Sequence, residues 1–210
     1  MIIQGQVGAL STTTSLPAGQ QAVIRQGNMG DAIVSELHGR YYETTYRRAL
    51  FSAVSTAAGT TVAGNATVVT GTVVVSNPIN SPVNLALNKV MAGLAAAGAA
   101  GFVAISTGYN SGTNVTHTTP LTVKNNYIGA GAAGYALADA AATMPTAPVY
   151  AHILGGIGTL AATGFGLQQA FYFDLEGSII LPPGGYALVT TSSIQTTALV
   201  ASIQWEEVPL

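Results

Sequence analysis

The sequence predicts an all-β domain of two antiparallel sheets, a sandwich of jelly-roll type preceded by an extended N-terminal arm. About eight short runs rich in β-branched and aromatic residues are spread along the chain, and clusters of Gly, Pro, Asn and Ser separate them. No stretch carries a strong amphipathic helical pattern. Antiparallel strands joined by long loops fit a jelly roll. An immunoglobulin-like sandwich is the alternative, without its Cys…Trp…Cys hallmark, since the chain has no cysteine.

At 210 residues there is room for one such core and an arm. Residues 1–30 are rich in Gln, Gly, Ser and Thr, with a turn at Leu16-Pro17-Ala18-Gly19, and cannot bury much by themselves. They read either as an arm laid on a neighbouring subunit or as a frayed terminus. Residues 31–210 are expected to form the single β-domain.

Asp31 to Phe51 is the densest patch of charge and aromatics. Read as a strand, it puts His38, Arg40, Tyr42, Thr44, Tyr46 and Arg48 on one face and Tyr41, Glu43, Thr45 and Arg47 on the other. Tyr and Arg combine large contact area with directional hydrogen bonds, so Arg40, Tyr41, Tyr42, Tyr46, Arg47 and Arg48 are the candidate subunit interface. The same residues would serve a single-stranded nucleic acid, with arginines on phosphates and tyrosines under bases. Glu36 and Glu43 interrupt that pattern and no second basic cluster supports it. A solvated strand is the third reading.

Ser52 to Gly64 reads as a loop or edge segment, and Ala66 to Ser76 as one buried strand. After Asn77-Pro78 and Ser81-Pro82, Asn84 to Met91 resumes alternation with Leu85, Leu87 and Lys89 on one side. Gly101 to Ser106 is a strand and Thr107 to Thr119 a loop. Leu121 to Ala147 reads as an irregular excursion with a short helix near Ala136 to Ala142. Val149 to Leu154 is a strand, Gly155 to Gly166 a glycine-rich loop, and Gln169 to Phe173 precedes the end of the chain. There, Ser178 to Leu181, Tyr186 to Thr191 and Ala198 to Trp205 read as a three-stranded meander. Pro182-Pro183-Gly184-Gly185 supplies its first turn. Alternation points Ile203 and Trp205 into the core and Ser202, Gln204 and Glu206 away from it.

Only 7% of residues are charged, against roughly 25% in ordinary soluble domains, while 49% are apolar. Such a surface suits burial in an assembly. The net charge of −2 argues against a dedicated nucleic-acid binder and against anionic membranes. Val90 to Ile105 is uncharged but rich in Ala and Gly, and too short for a spanning helix; it reads as two strands joined by a small-residue turn. Met1 to Gln6 shows no basic region followed by an apolar core, so no secretory signal is expected.

No catalytic constellation stands out. Asp174 and Glu176 share a strand face, and a calcium site there is conceivable, but nothing sets two carboxylates about a cleft. His38, His117 and His152 lack metal-ligand spacing. A Ser-His-Asp set assembles from distant positions, so counting does not exclude one, yet no Gly-x-Ser-x-Gly elbow is present. Gly155-Gly156-Ile157-Gly158 lacks dinucleotide-binding spacing. Asn65-Ala66-Thr67 and Asn114-Val115-Thr116 match the glycan acceptor pattern, which matters only in a secreted protein. Neither a catalyst, a cofactor nor a metal is expected.

Glu36 to Phe51, the Val-rich run into Ser76-Asn77-Pro78, the Asn84 to Val90 segment, Gly177 to Gly185 and Trp205-Glu206-Glu207 resemble virion-associated proteins of tailed bacteriophages. The resemblance covers about two thirds of the chain, and Leu121 to Ala147 has no counterpart in it. It implies a jelly-roll protein similar to capsid decoration or cement proteins, which sit as homotrimers on capsid faces. The implied partners are copies of itself and the major capsid protein, and the implied location is the virion exterior after synthesis in the host cytoplasm. No catalytic residues come with it. The alternative is a tail, fibre or spike component binding host surface glycans, with Tyr109, Asn110, Tyr127 and Tyr135 in its loops.

Overall fold

The computed structural model describes residues 39–55, 65–94, 99–129, 131, 133–157, 170–195 and 199–210. The chain divides into two units, Met1–Arg40 and Tyr41–Leu210. The predicted arm therefore lies outside the described residues, as do Asp31 to His38.

Among the described residues, the second unit begins with one short helix, α1 (Tyr42–Tyr46), followed by twelve strands. These are β1 (Leu50–Val54), β2 (Val68–Val69), β3 (Val74–Ser76), β4 (Val83–Leu94), β5 (Gly101–Tyr109) and β6 (Thr116–Pro120), then β7 (Lys124–Asn125), β8 (Leu137–Thr143), β9 (Val149–Ile157), β10 (Ala170–Leu181), β11 (Gly185–Thr191) and β12 (Leu199–Pro209). One sheet runs β10-β4-β12-β1-β7; the other runs β2-β8-β3-β11-β5-β9, with β6 also on β8.

The pairing identifies the winding. In chain order, β1, β3, β4 and β5 pair antiparallel with β12, β11, β10 and β9, so the second half of the chain retraces the first. Successive pairs fall alternately in the two sheets. A doubled ribbon wrapped in this way is a jelly roll, as predicted. β6, β7 and β8 are inserted where the ribbon doubles back, between β5 and β9.

The main core lies between the sheets. Trp205 stacks on Phe51 at 6.3 Å, and Leu85, Leu87, Val90 and Ile203 meet Val73, Val75, Val103, Ile105, Ala187 and Val189. Each such Leu or Ile contributes about 1.5–3 kcal/mol through burial. A second cluster, Val69, Val74, Val115, Ala142, Met144, Tyr186 and Leu188, covers the other side of β11. That is why every residue from Gly185 to Thr191 is buried.

Several expectations are corrected. The three terminal runs do not form a meander: β10 and β12 flank β4 in one sheet while β11 lies in the other. The Pro182–Gly184 turn carries the chain across, and Gly184, at φ 88, sits where an added Cβ would strike the Asn110 carbonyl. Ala136 to Ala142 is not a helix but the body of β8, because ladder bonds to β2, β3 and β6 outweigh alanine's helix preference. Ala66 to Ser76 is two strands, broken at Gly71 (φ 63), where the Thr72 N–H donates to Ala140 O and its hydroxyl to Val189 O. Thr107 to Thr119 is strand at both ends, β5 reaching Tyr109 and β6 starting at Thr116. Ser52 to Val54 belong to β1, and Gly155 to Ile157 extend β9.

Lys89 does not share a side with Leu85 and Leu87. Gln204 pairs with Lys89 but Trp205 with Leu87, so Asn88 is a bulge and the inward series continues at Val90. The expected two-strand reading of Val90 to Ile105 holds at both ends, in β4 and β5. Among the described residues, no helix is long and apolar enough to cross a membrane.

Candidate functional site

Tyr41 to Arg48 is not the predicted strand. It is a turn and one helical turn, and ladder pairing begins only at Leu50. The end of α1 explains the break. Arg48 takes φ 62, its N–H donates to Thr45 O and the Ala49 N–H donates to Thr44 O. This is the paired bonding of a Schellman stop, with arginine in the left-handed position that glycine usually fills.

On α1, Tyr42 and Tyr46 stand four residues apart and stack at 6.0 Å. The β6–β8 connection supplies a third ring. Asn125 Nδ2 donates to Arg48 O at 2.7 Å, Asn126 N–H to Leu50 O at 2.9 Å, and Ser52 Oγ to Asn126 Oδ1 at 2.8 Å. These bonds fix β7 on the margin of β1 and set Tyr127 edge-on to Tyr46 at 6.4 Å. The Arg48 guanidinium lies 5.6 Å above the Tyr127 ring. Tyr42, Tyr46 and Tyr127 remain 45%, 55% and 39% exposed.

The six predicted interface residues thus divide. Tyr42, Tyr46 and Arg48 converge on one exposed ridge. Arg47 pairs with Glu43 at 2.8 Å along the helix and lies near Glu206, whose carboxyl burial raises above its ordinary pKa against the opposing pull of Arg47. Tyr41 turns towards the sheet, donating its hydroxyl to Asp174 Oδ1 at 2.9 Å, with Lys89 Nζ 4.5 Å above its ring. Arg40 is exposed in the preceding turn. Tyr127 and Lys124 were not legible as members of this group; they arrive through pairing of β7 with β1, which no local pattern encodes.

Asp174 precedes a bulge of β10, Leu175 to Ser178 opposite Asn88, and Glu176 lies within it. The Glu176 N–H donates to Asp174 Oδ1 at 3.2 Å. Among the described residues no three His, Asp or Glu gather to hold a metal. Glu207 accepts the Tyr135 and Ala136 N–H groups at 2.8 and 3.0 Å. His152 stacks on Phe173 at 5.8 Å. His117 Nδ1 bonds Asp139 Oδ2, pinning β6 to β8.

No family model, curated protein or solved structure matches this chain.

Proposed function

We propose that the chain is a non-enzymatic structural protein of a tailed-bacteriophage particle, one that self-associates as a homotrimer and decorates the outside of the major capsid shell. The observation that carries this reading is the Tyr42, Tyr46, Tyr127 and Arg48 ridge, an exposed aromatic–cationic surface on a rigid sandwich margin in a chain with only 7% charged residues. The jelly-roll winding and the phage-like segments of the sequence support it. A trimer that also touches several shell subunits multiplies contacts of ordinary size through avidity. Nucleic acid, membrane and cofactor have no part in this reading.

Electron microscopy of shells assembled without the protein and then mixed with it tests the proposal. Regular added density is the expected result; bare shells beside well-folded protein would remove the capsid role. Deleting residues 1–30 tests the arm: unchanged trimerisation and shell binding would take the arm out of both contacts.

A second reading, a fibre or spike component that stacks surface sugars, is favoured by the exposed rings of Tyr109, Tyr127 and Tyr135. A glycan array without hits would count against it.

A further inference from the structure

We infer that residues 1–10 of one copy dock on the outward face of the five-stranded sheet in the next copy, in an exchange of arms. This rests on the self-association proposed above and assigns it a donor segment and a receiving surface.

The strand register defines the receiving surface. Tyr172, Met91, Ser202 and Val54 stand in one row across β10, β4, β12 and β1, and Ala170, Gly93 and Val200 stand in the next. Ala53, Ala92, Ala201 and Ile203, which alternate with them, point into the core, so these two rows point outward. Tyr172, Met91, Val54 and Val200 are 56%, 50%, 51% and 39% exposed. No Lys, Arg, Asp or Glu lies in Leu50–Val54, 90–94, 170–173 or 199–204. Charge returns only in the row beyond, where Asp174, Lys89, Gln204 and Ser52 stand opposite one another and Tyr41 lies against Asp174 and Lys89.

An uncharged apolar face calls for an occupant of the same kind. Its footprint, four strand spacings by four residue rises, is on the order of 250 Å². Stacking two such faces falls well short of the roughly 800 Å² per partner of a stable interface, whereas a single extended segment is matched to it. Residues 1–24 contain no Lys, Arg, Asp or Glu. Among them Ile3, Gly5, Val7 and Ala9 alternate with Gln4, Gln6 and Gly8, so an extended run has one apolar side and one polar side. Ile3 and Val7 are then about 13 Å apart, close to the three strand spacings, about 14 Å, from Tyr172 to Val54. Laid across the strands, the segment seats Ile3 and Val7 on the apolar row and leaves the glutamines in water. The chain from residue 10 to Tyr41 reaches up to about 100 Å, enough for a neighbouring copy. Each copy gives one arm and receives one, a heterologous contact that closes into a ring when the rotation per copy allows.

Cross-linking on the full chain tests this, since the sequence has no cysteine. Val7→Cys protein and Met91→Cys protein are mixed, equilibrated and oxidised. A disulfide-linked pair of the two variants is expected, at several-fold the yield of Val7→Cys mixed with Ile128→Cys, a position 87% exposed beyond β7. Equal yields, or a chain carrying both Val7→Cys and Met91→Cys that closes on itself as a monomer, overturn the exchange. Met91→Glu with Val54→Glu is expected to weaken assembly about tenfold or more in light scattering after size exclusion. Thermal melts separate lost folding from lost assembly. An oligomer indifferent to those two charges overturns the arm contact while leaving self-association standing. A monomeric wild-type chain overturns both.

Discussion

Glu206 and the His117–Asp139 pair show how single residues here set stability. Burial raises the Glu206 pKa, and Arg47 partly opposes that. A carboxyl with a raised folded-state pKa gives its stabilisation in full below its unfolded value near 4.5, and loses it as pH rises through the folded value. Glu206→Gln should therefore gain on the wild type between pH 4 and pH 7 in urea melts; an equal difference at both pH values would refute this. Asp139 is 1% exposed, and among the described residues its Oδ1 has no hydrogen-bond partner. Removing the His117 contact by His117→Ala should cost about 3 kcal/mol. The double variant with Asp139→Ala should recover part of that loss, because no carboxylate then stays buried alone; a double variant worse than the single would contradict it. At this scale the sequence was legible where alternation ran unbroken, as at Ile203 and Trp205. It misled at Lys89, because the Asn88 bulge depends on two neighbouring strands that local pattern does not reveal.

Among the elements, β11 depends on a close approach that no propensity reports. Tyr186 lies opposite Gly108 of β5, fully buried, with its hydroxyl donating to Thr146 O at 2.6 Å. A Cβ at Gly108 would collide with that ring. The ring is held at its tip and walled by Val74 and Leu188, so it has little room to yield. Gly108→Ala should cost about 1–3 kcal/mol through overpacking. A denaturant midpoint unchanged from wild type would show that the ring relocates freely. Apolar runs such as Asn84 to Met91 and Ala198 to Trp205 were readable as strands from their alternation. β8 was not, since its alanines favour helix locally and only partners on both sides make it a strand. α1 failed in the opposite sense: Tyr and Thr favour strand, while the stop at Arg48 imposes a turn.

For the whole molecule, the two-sheet jelly roll was foreseeable from eight β-rich runs, but its connectivity was not. Leu50 pairs with Glu206 and Gly101 with Ile157, contacts between distant parts of the chain that adjacency rules assign elsewhere. The same winding ranks the strands by stability. β11 has partners on both edges and cover on both faces, and β12 and β4 are central in their sheet. β9 has two register shifts against β5, β6 ends at Pro120 after shifts of its own, and β7 is two residues long. Such margins are blunted against strand addition, and they should also open first. Native-state hydrogen exchange should find the amides of Tyr186 to Val189 and Ala201 to Trp205 among the slowest, exchanging only with global unfolding. The amides of His117 and Tyr150 should exchange through smaller openings. Protection of β9 and β6 equal to that of β11 would refute this ranking, because irregular pairing would then not lower their local stability.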